Sequence, residues 1–227
     1  AFGEGTMKNV EVELLKEVEF TPLISPVLLN RLGAFQEPGD VLRMSRPEGA
    51  YLANFGRLDV NGATIEGIGP ASVMAPDFVP FVVNAGGASV TLRNSHIRNL
   101  GFGSEGKFGG FSIVRNPLLV REDEIVVEGN TFERVNSVAL SLANDITIRN
   151  NRFRNSRSAA LIISRTNNAR ILGNLFFGPS PTNAIRLNLD SRNALIAGNK
   201  THQRGIGLLL QIDPLDGGTS PRLQRHV

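Results

Sequence analysis

No cysteine occurs in the 227-residue chain. Disulfides, thiol catalysis and any cysteine-based metal site are thereby excluded. Tryptophan is also absent, and Tyr51 is the single tyrosine. A sugar site built on stacked Trp or Tyr rings has almost no material here. No apolar run reaches the roughly 18 residues of a membrane-spanning helix. No nucleic-acid-binding pattern is visible: no Cys/His finger, no aromatic ribonucleoprotein motif, no basic helix. No dense carboxylate cluster suggests calcium, and neither a metal nor a cofactor is expected. The opening AFGEGTMKNV has no initiator Met and no signal-peptide pattern, and it reads as a mature or trimmed end.

What the chain does have is asparagine, with 21 residues, and phenylalanine, with 13. Their positions are ordered. The runs IVVEGNTF (125–132), ITIRNNRF (146–153), ILGNLFF (171–177) and LIAGNKT (195–201) superimpose on Asn130, Asn151, Asn174 and Asn199. Phe132, Phe153 and Phe176 each follow two residues later. VTLRNSHI (90–97) and LDVNGATI (58–65) fit the same frame, with Ser95 and Ala63 at the Asn position. A second series of apolar runs lies between: SVALSL (137–142), AALIIS (159–164), AIRLNL (184–189) and IGLLLQI (206–212).

Runs this short do not make good helices. A period of a little over twenty residues, with at least two strands per cycle, predicts a parallel β-solenoid. Stacked coils place equivalent side chains about 4.8 Å apart. Asn amides at that spacing can hydrogen-bond from coil to coil as a structural ladder of Asn130, Asn151, Asn174 and Asn199. The ladder asparagines are also expected to turn the corner in the left-handed backbone region. A β-sandwich with turn-forming Asn is the competing fold, but it requires no fixed register.

The expected organisation is one all-β domain, a single-stranded parallel β-helix. Residues 1–49 supply an N-terminal cap and first strands, 50–212 the coils, and 213–227 a tail. VEVELLKEVEF (10–20) fits a strand pair or a short helix, and SPVLLNRLGAF (25–35) fits a helix. Gly- and Pro-rich insertions at 66–79 and 100–110 are placed to wall a groove.

The blocks GAYLANFGRLDVNGATIEG (49–67), FVPFVVNAGGASVTLRNSHIRNLGFGSEGKFGGFSI (78–113) and SLANDITIRNN (141–151) resemble the periplasmic mannuronan C5-epimerases of alginate biosynthesis. The resemblance covers roughly 49–210. It implies a right-handed parallel β-helix, a periplasmic or extracellular location, and a linear polyuronate lying in a positively lined groove. Exopolysaccharide-assembly proteins would be further partners. The implied chemistry removes the C5 proton of a uronate and returns it from the opposite face. A base, an acid and a neutraliser for the carboxylate are needed.

The resembling family carries an Asp-Pro-His-Asp motif for the base. That motif is not retained here. Ungapped alignment from Asn151 places IISR (162–165) on it, with Ser164 at the base position and Leu189 at the neutraliser position. A one-coil slip makes Arg165 the neutraliser and puts the base near Leu140. Ser164 and Arg165 are therefore the catalytic candidates. Lys107, Arg115, Arg165, Arg186 and Asp190 are the substrate-binding candidates. DPLD (213–216) is a near-match that reads as a turn. His96, His202 and His226 read as surface or packing residues. Net charge is +3, which suits either solubility or a polyanionic ligand.

Three functions stay open. The chain is a degenerate relative that binds an anionic polysaccharide. Alternatively it is an epimerase or lyase with substituted catalytic residues. In the third reading it is a structural or assembly β-helix with a protein partner.

Overall fold

The computed structural model describes residues 27–30, 34–36, 41–45, 51–68, 80–101, 110–116, 125–188 and 191–211. These residues form three parallel sheets wound as a right-handed β-helix, with no helix among them. The first sheet has eight strands: Val27–Asn30, Tyr51–Asn54, Val82–Gly86, Gly110–Arg115, Ser137–Ser141, Leu161–Ser164, Ser180–Asn188 and Arg204–Gln211. The second has seven: Ala34–Gln36, Arg57–Asn61, Ser89–Arg93, Ile125–Glu128, Ile146–Arg149, Arg170–Leu172 and Leu195–Ala197. The third also has seven: Val41–Ser45, Thr64–Ile68, His96–Arg98, Thr131–Glu133, Arg152–Arg154, Leu175–Phe177 and Lys200–Thr201.

Each coil visits the first, second and third sheet in turn. The three strands between 27 and 45 already belong to these sheets, one in each. The expected helix over 25–35 is replaced by the strands Val27–Asn30 and Ala34–Gln36. Val27 pairs with Tyr51 and Phe35 with Asp59, so the next coil decides the conformation rather than local propensity. Residues 10–20 and 213–227 lie outside the described residues.

The core is built from columns of like side chains. Phe132, Phe153 and Phe176 occupy one register position in successive third-sheet strands. Their rings stack at 5.0 Å and 4.8 Å between centroids, with interplanar angles of 8° and 9°. Phe111 closes the stack edge-on at 6.2 Å. All four are fully buried.

The corner between the second and third sheets holds the Asn column. Asn130 Nδ2 donates to Asn151 Oδ1 at 3.0 Å, Asn151 Nδ2 to Asn174 Oδ1 at 3.0 Å, and Asn174 Nδ2 to Asn199 Oδ1 at 2.9 Å. Each Oδ1 also accepts the backbone N–H of the Asn one coil earlier. Each Nδ2 of Asn130, Asn151 and Asn174 donates to a carbonyl of the preceding coil, that of Leu92, Val127 or Ile148. Ser95 and Ala63 continue the column: Ser95 N–H donates to Asn130 Oδ1, and Ala63 N–H to Ser95 Oγ. Buried amides thus have partners at every rung, where an orphan would be costly.

One detail departs from expectation. The ladder asparagines are not the left-handed residues. The residue just before each one is: Gly129 (φ 69°), Asn150 (φ 56°), Gly173 (φ 61°) and Gly198 (φ 64°). A Cβ on Gly129 would stand 2.7 Å from Asn94 Oδ1, so space as well as φ favours glycine there. The ladder Asn is left to point inwards.

Replacing Asn151 by Ala should destabilise the protein by about 2–4 kcal/mol, because the Asn130 N–H and the Val127 carbonyl lose their partner. Phe153→Ala should cost about 3–5 kcal/mol by opening the ring stack. Urea unfolding monitored by circular dichroism measures both.

Candidate functional site

The first sheet presents two outward rows. One runs Ala139, Ile162, Arg186 and Leu209; the next runs Val114, Ser141, Ser164 and Asn188. The row between them, which includes Ile113, Leu140, Ile163 and Leu187, is buried. The IISR strip therefore alternates: Ile162 and Ser164 face outwards and Ile163 is in the core. Arg165 follows in a left-handed turn, φ 49°, and is exposed.

Arg115 and Arg165 follow Val114 and Ser164, which lie in one register row with Ser141 between. They therefore sit at the same end of the sheet, two coils apart. Arg115 Nη2 donates to the Ala88 carbonyl at 3.4 Å. Arg186 donates through Nε and Nη2 to Asn183 Oδ1 at 3.2 Å and 3.1 Å. Arg204 begins the last strand, and burial pushes its guanidinium below its ordinary range. No described first-sheet strand contains an Asp or Glu. Lys107, Asp190, Leu189 and the DPLD turn lie outside the described residues, as does His226.

Ser164 has no acid or histidine on its own sheet among the described residues. Its carbonyl accepts from Thr166 Oγ1 at 3.0 Å and from the Leu142 N–H at 3.1 Å. Tyr51 stands four strands away and stacks on Phe81 at 4.6 Å. His96 and His202 belong to the third-sheet side: His96 Nε2 lies 3.2 Å from Glu133, and His202 is exposed.

The other two faces behave differently. On the second sheet, Arg149 binds Glu128 at 2.8 Å and Arg93 approaches it at 3.8 Å. The hydrogen bond from Arg149, joined by the charges of Arg149 and Arg93, holds the Glu128 carboxyl below its usual range. On the third sheet, Arg98 binds Glu66. A cleft of about 540 Å³ opens between Asp145, Asn168, Asn193, Arg170 and Leu195. Its amides are spent on one another: Asn168 donates to Asp145 at 2.8 Å and Asn193 to Asn168 at 3.3 Å. All three are left-handed turn residues, with φ between 52° and 58°. Sequence reasoning missed this outer ladder, although Asp145, Asn168 and Asn193 hold one place in successive cycles.

A family model described as periplasmic copper-binding protein (NosD) matches residues 40–213. The chain belongs to the NosD family. Mannuronan C5-epimerase of Pseudomonas putida is 29% identical over 112 residues, which is 45% of this chain and 22% of that protein. A solved point mutant of the periplasmic alginate epimerase AlgG superposes with a TM-score of 0.65 at 18% identity, covering 83% of this chain and 50% of that one. A double mutant of the same epimerase gives a TM-score of 0.52 at 16% identity, covering 87% and 69%. These likenesses bear out the resemblance and the β-helix fold. The chain spans half of the first of these solved chains and less than a quarter of the curated relative.

The NosD description raises the question of copper. Copper sites draw on thiolate, thioether and imidazole donors. Here Met44 is fully buried in the core, His96 sits beside Glu133, and His202 lies four coils further along. No three His, Asp or Glu side chains converge among the described residues. The described residues do not fit a copper centre.

Glu128 offers a test of the second-sheet network. Its carboxyl is lowered from 4.5, so its contribution to stability is full above that value and is lost as pH falls through the lowered one. Glu128→Gln should be less stable than the parent at pH 7, with the difference fading below pH 4.5. Thermal melts across pH report it.

Proposed function

We propose that the chain binds an anionic, alginate-like polyuronate along the first sheet of the β-helix, without the standard epimerase mechanism. The observation that carries this is electrostatic. The described first-sheet strands hold Arg115, Arg186 and Arg204 and no carboxylate, with Arg165 at a strand end beside them. The second sheet and the first half of the third instead pair acids with cations. Long connections support the same side: 69–79 and 102–109 lead from third-sheet strands to first-sheet strands, and 117–124 leads away. The compartment is periplasmic or extracellular, in keeping with the periplasmic descriptions of the family and of the solved relatives.

Proton abstraction at C5 needs a base beside the sugar. Ser164 is a poor one unless another group takes its proton. Binding without turnover is therefore preferred. An epimerase or lyase with substituted residues draws its support from one feature, the outward Ser164 hydroxyl next to the exposed Arg165.

Incubation with polymannuronate in deuterated water separates the two. The expected result is no deuterium at C5, no 4,5-unsaturated ends, and retention that weakens with salt. Exchange or elimination would refute the non-catalytic reading, and absence of retention would leave a structural or assembly role. Arg165→Ala should weaken polymannuronate binding by about fivefold. Unchanged affinity removes Arg165 from the surface.

A further inference from the structure

The third sheet has two electrostatic halves. In the first, charges are matched: Glu66 binds Arg98, and Glu133 lies 3.2 Å from His96 and 3.9 Å from Arg134. Beyond Glu133 the acids stop. The strands Arg152–Arg154, Leu175–Phe177 and Lys200–Thr201 contain none, and neither do the turns 155–158, 178–179 and 202–203.

Register places the residues that remain. One outward row runs Thr131, Arg152, Leu175 and Lys200; the other runs Glu133, Arg154 and Phe177. The row between, Phe132, Phe153 and Phe176, is the buried ring stack. Arg152, Arg154 and Lys200 are exposed, and Phe177 is half-buried. The Arg154 guanidinium lies 5.9 Å from the Phe177 ring centroid. Coil spacing puts the backbones of Arg152 and Lys200 roughly 10 Å apart, with Leu175 between them. Cations gathered without counter-charges repel one another and do nothing for folding. They suit a polyanion.

We propose that this half of the third sheet is a second polyuronate-binding strip, distinct from the first sheet, on which the chain lies along the solenoid axis. This inference rests on the reading of the protein as a polyuronate binder. Carboxylates meet Arg152 and Lys200. Sugar-ring C–H faces lie over Leu175 and Phe177, where the arginine-backed ring offers an apolar surface. In a 1,4-linked chain whose successive residues are turned over, carboxylates on one side recur at every second residue. Two coils separate the two cations, so the periods agree. A single-stranded nucleic acid would call for several stacking rings, and the strip has one.

The test is calorimetric titration of the full chain with polymannuronate across a salt series. The Arg152→Ala/Lys200→Ala double variant should bind about tenfold more weakly and with a shallower salt dependence. Its melting temperature should be unchanged, since both side chains are exposed. Phe177→Ala should weaken binding while leaving the salt dependence as it is. If the parent binds and the double variant binds equally well, the strip is overturned while the broader reading stands. If the parent does not bind at all, both fall. Tighter binding to single-stranded DNA than to polymannuronate, abolished in the double variant, would overturn the choice of ligand.

Discussion

Parallel coils about 4.8 Å apart force each side chain against its counterpart in the next coil. Everything in this structure follows from which side chains tolerate that company. Asparagine does, because its amide both donates and accepts, and each copy satisfies the next. Phenylalanine does, because flat rings stack at that spacing. Like charges do not. The outer faces therefore alternate sign where stability governs, as in Arg93, Glu128 and Arg149 or Glu66 and Arg98. Alternation lapses on the first sheet and at the far end of the third, the two faces proposed to meet a polyanion.

Most of the scaffold was legible because its columns are sequence periods. Asn130, Asn151, Asn174 and Asn199 marked the coil, and Ser95 and Ala63 were placed in it despite their different side chains. Two readings failed for a physical reason. SPVLLNRLGAF carries an apolar spacing that suits a helix, and only pairing with residues some 24 positions on, such as Val27 with Tyr51, makes it strands. The left-handed turn was assigned to the ladder asparagines, although Gly129, Gly173 and Gly198 stood beside them as the plainer signal.

The candidate surfaces were harder to see. Arg165 could be named from IISR, but its direction depends on a turn that four strand residues do not reveal. Arg152 and Lys200 directly follow ladder asparagines, yet they become neighbours only when coils are stacked and an intervening leucine is counted. Relatives of differing description share this coil. A family described by copper contains a chain whose described residues hold no suitable donor cluster, while its likeness to alginate epimerases lies in the winding. Chemistry here belongs to what each coil displays, not to the winding.

The Asn corner has a further property. Between second-sheet and third-sheet strands the chain spends two residues every time from Gly62 and Ala63 to Gly198 and Asn199. Connections of varying length are thus left to the two corners that border the first sheet. The molecule has a rigid spine along one edge, and the opposite side is free to lengthen. Lineages built on this coil can acquire new loops, and with them new ligands, without disturbing a single rung of the ladder.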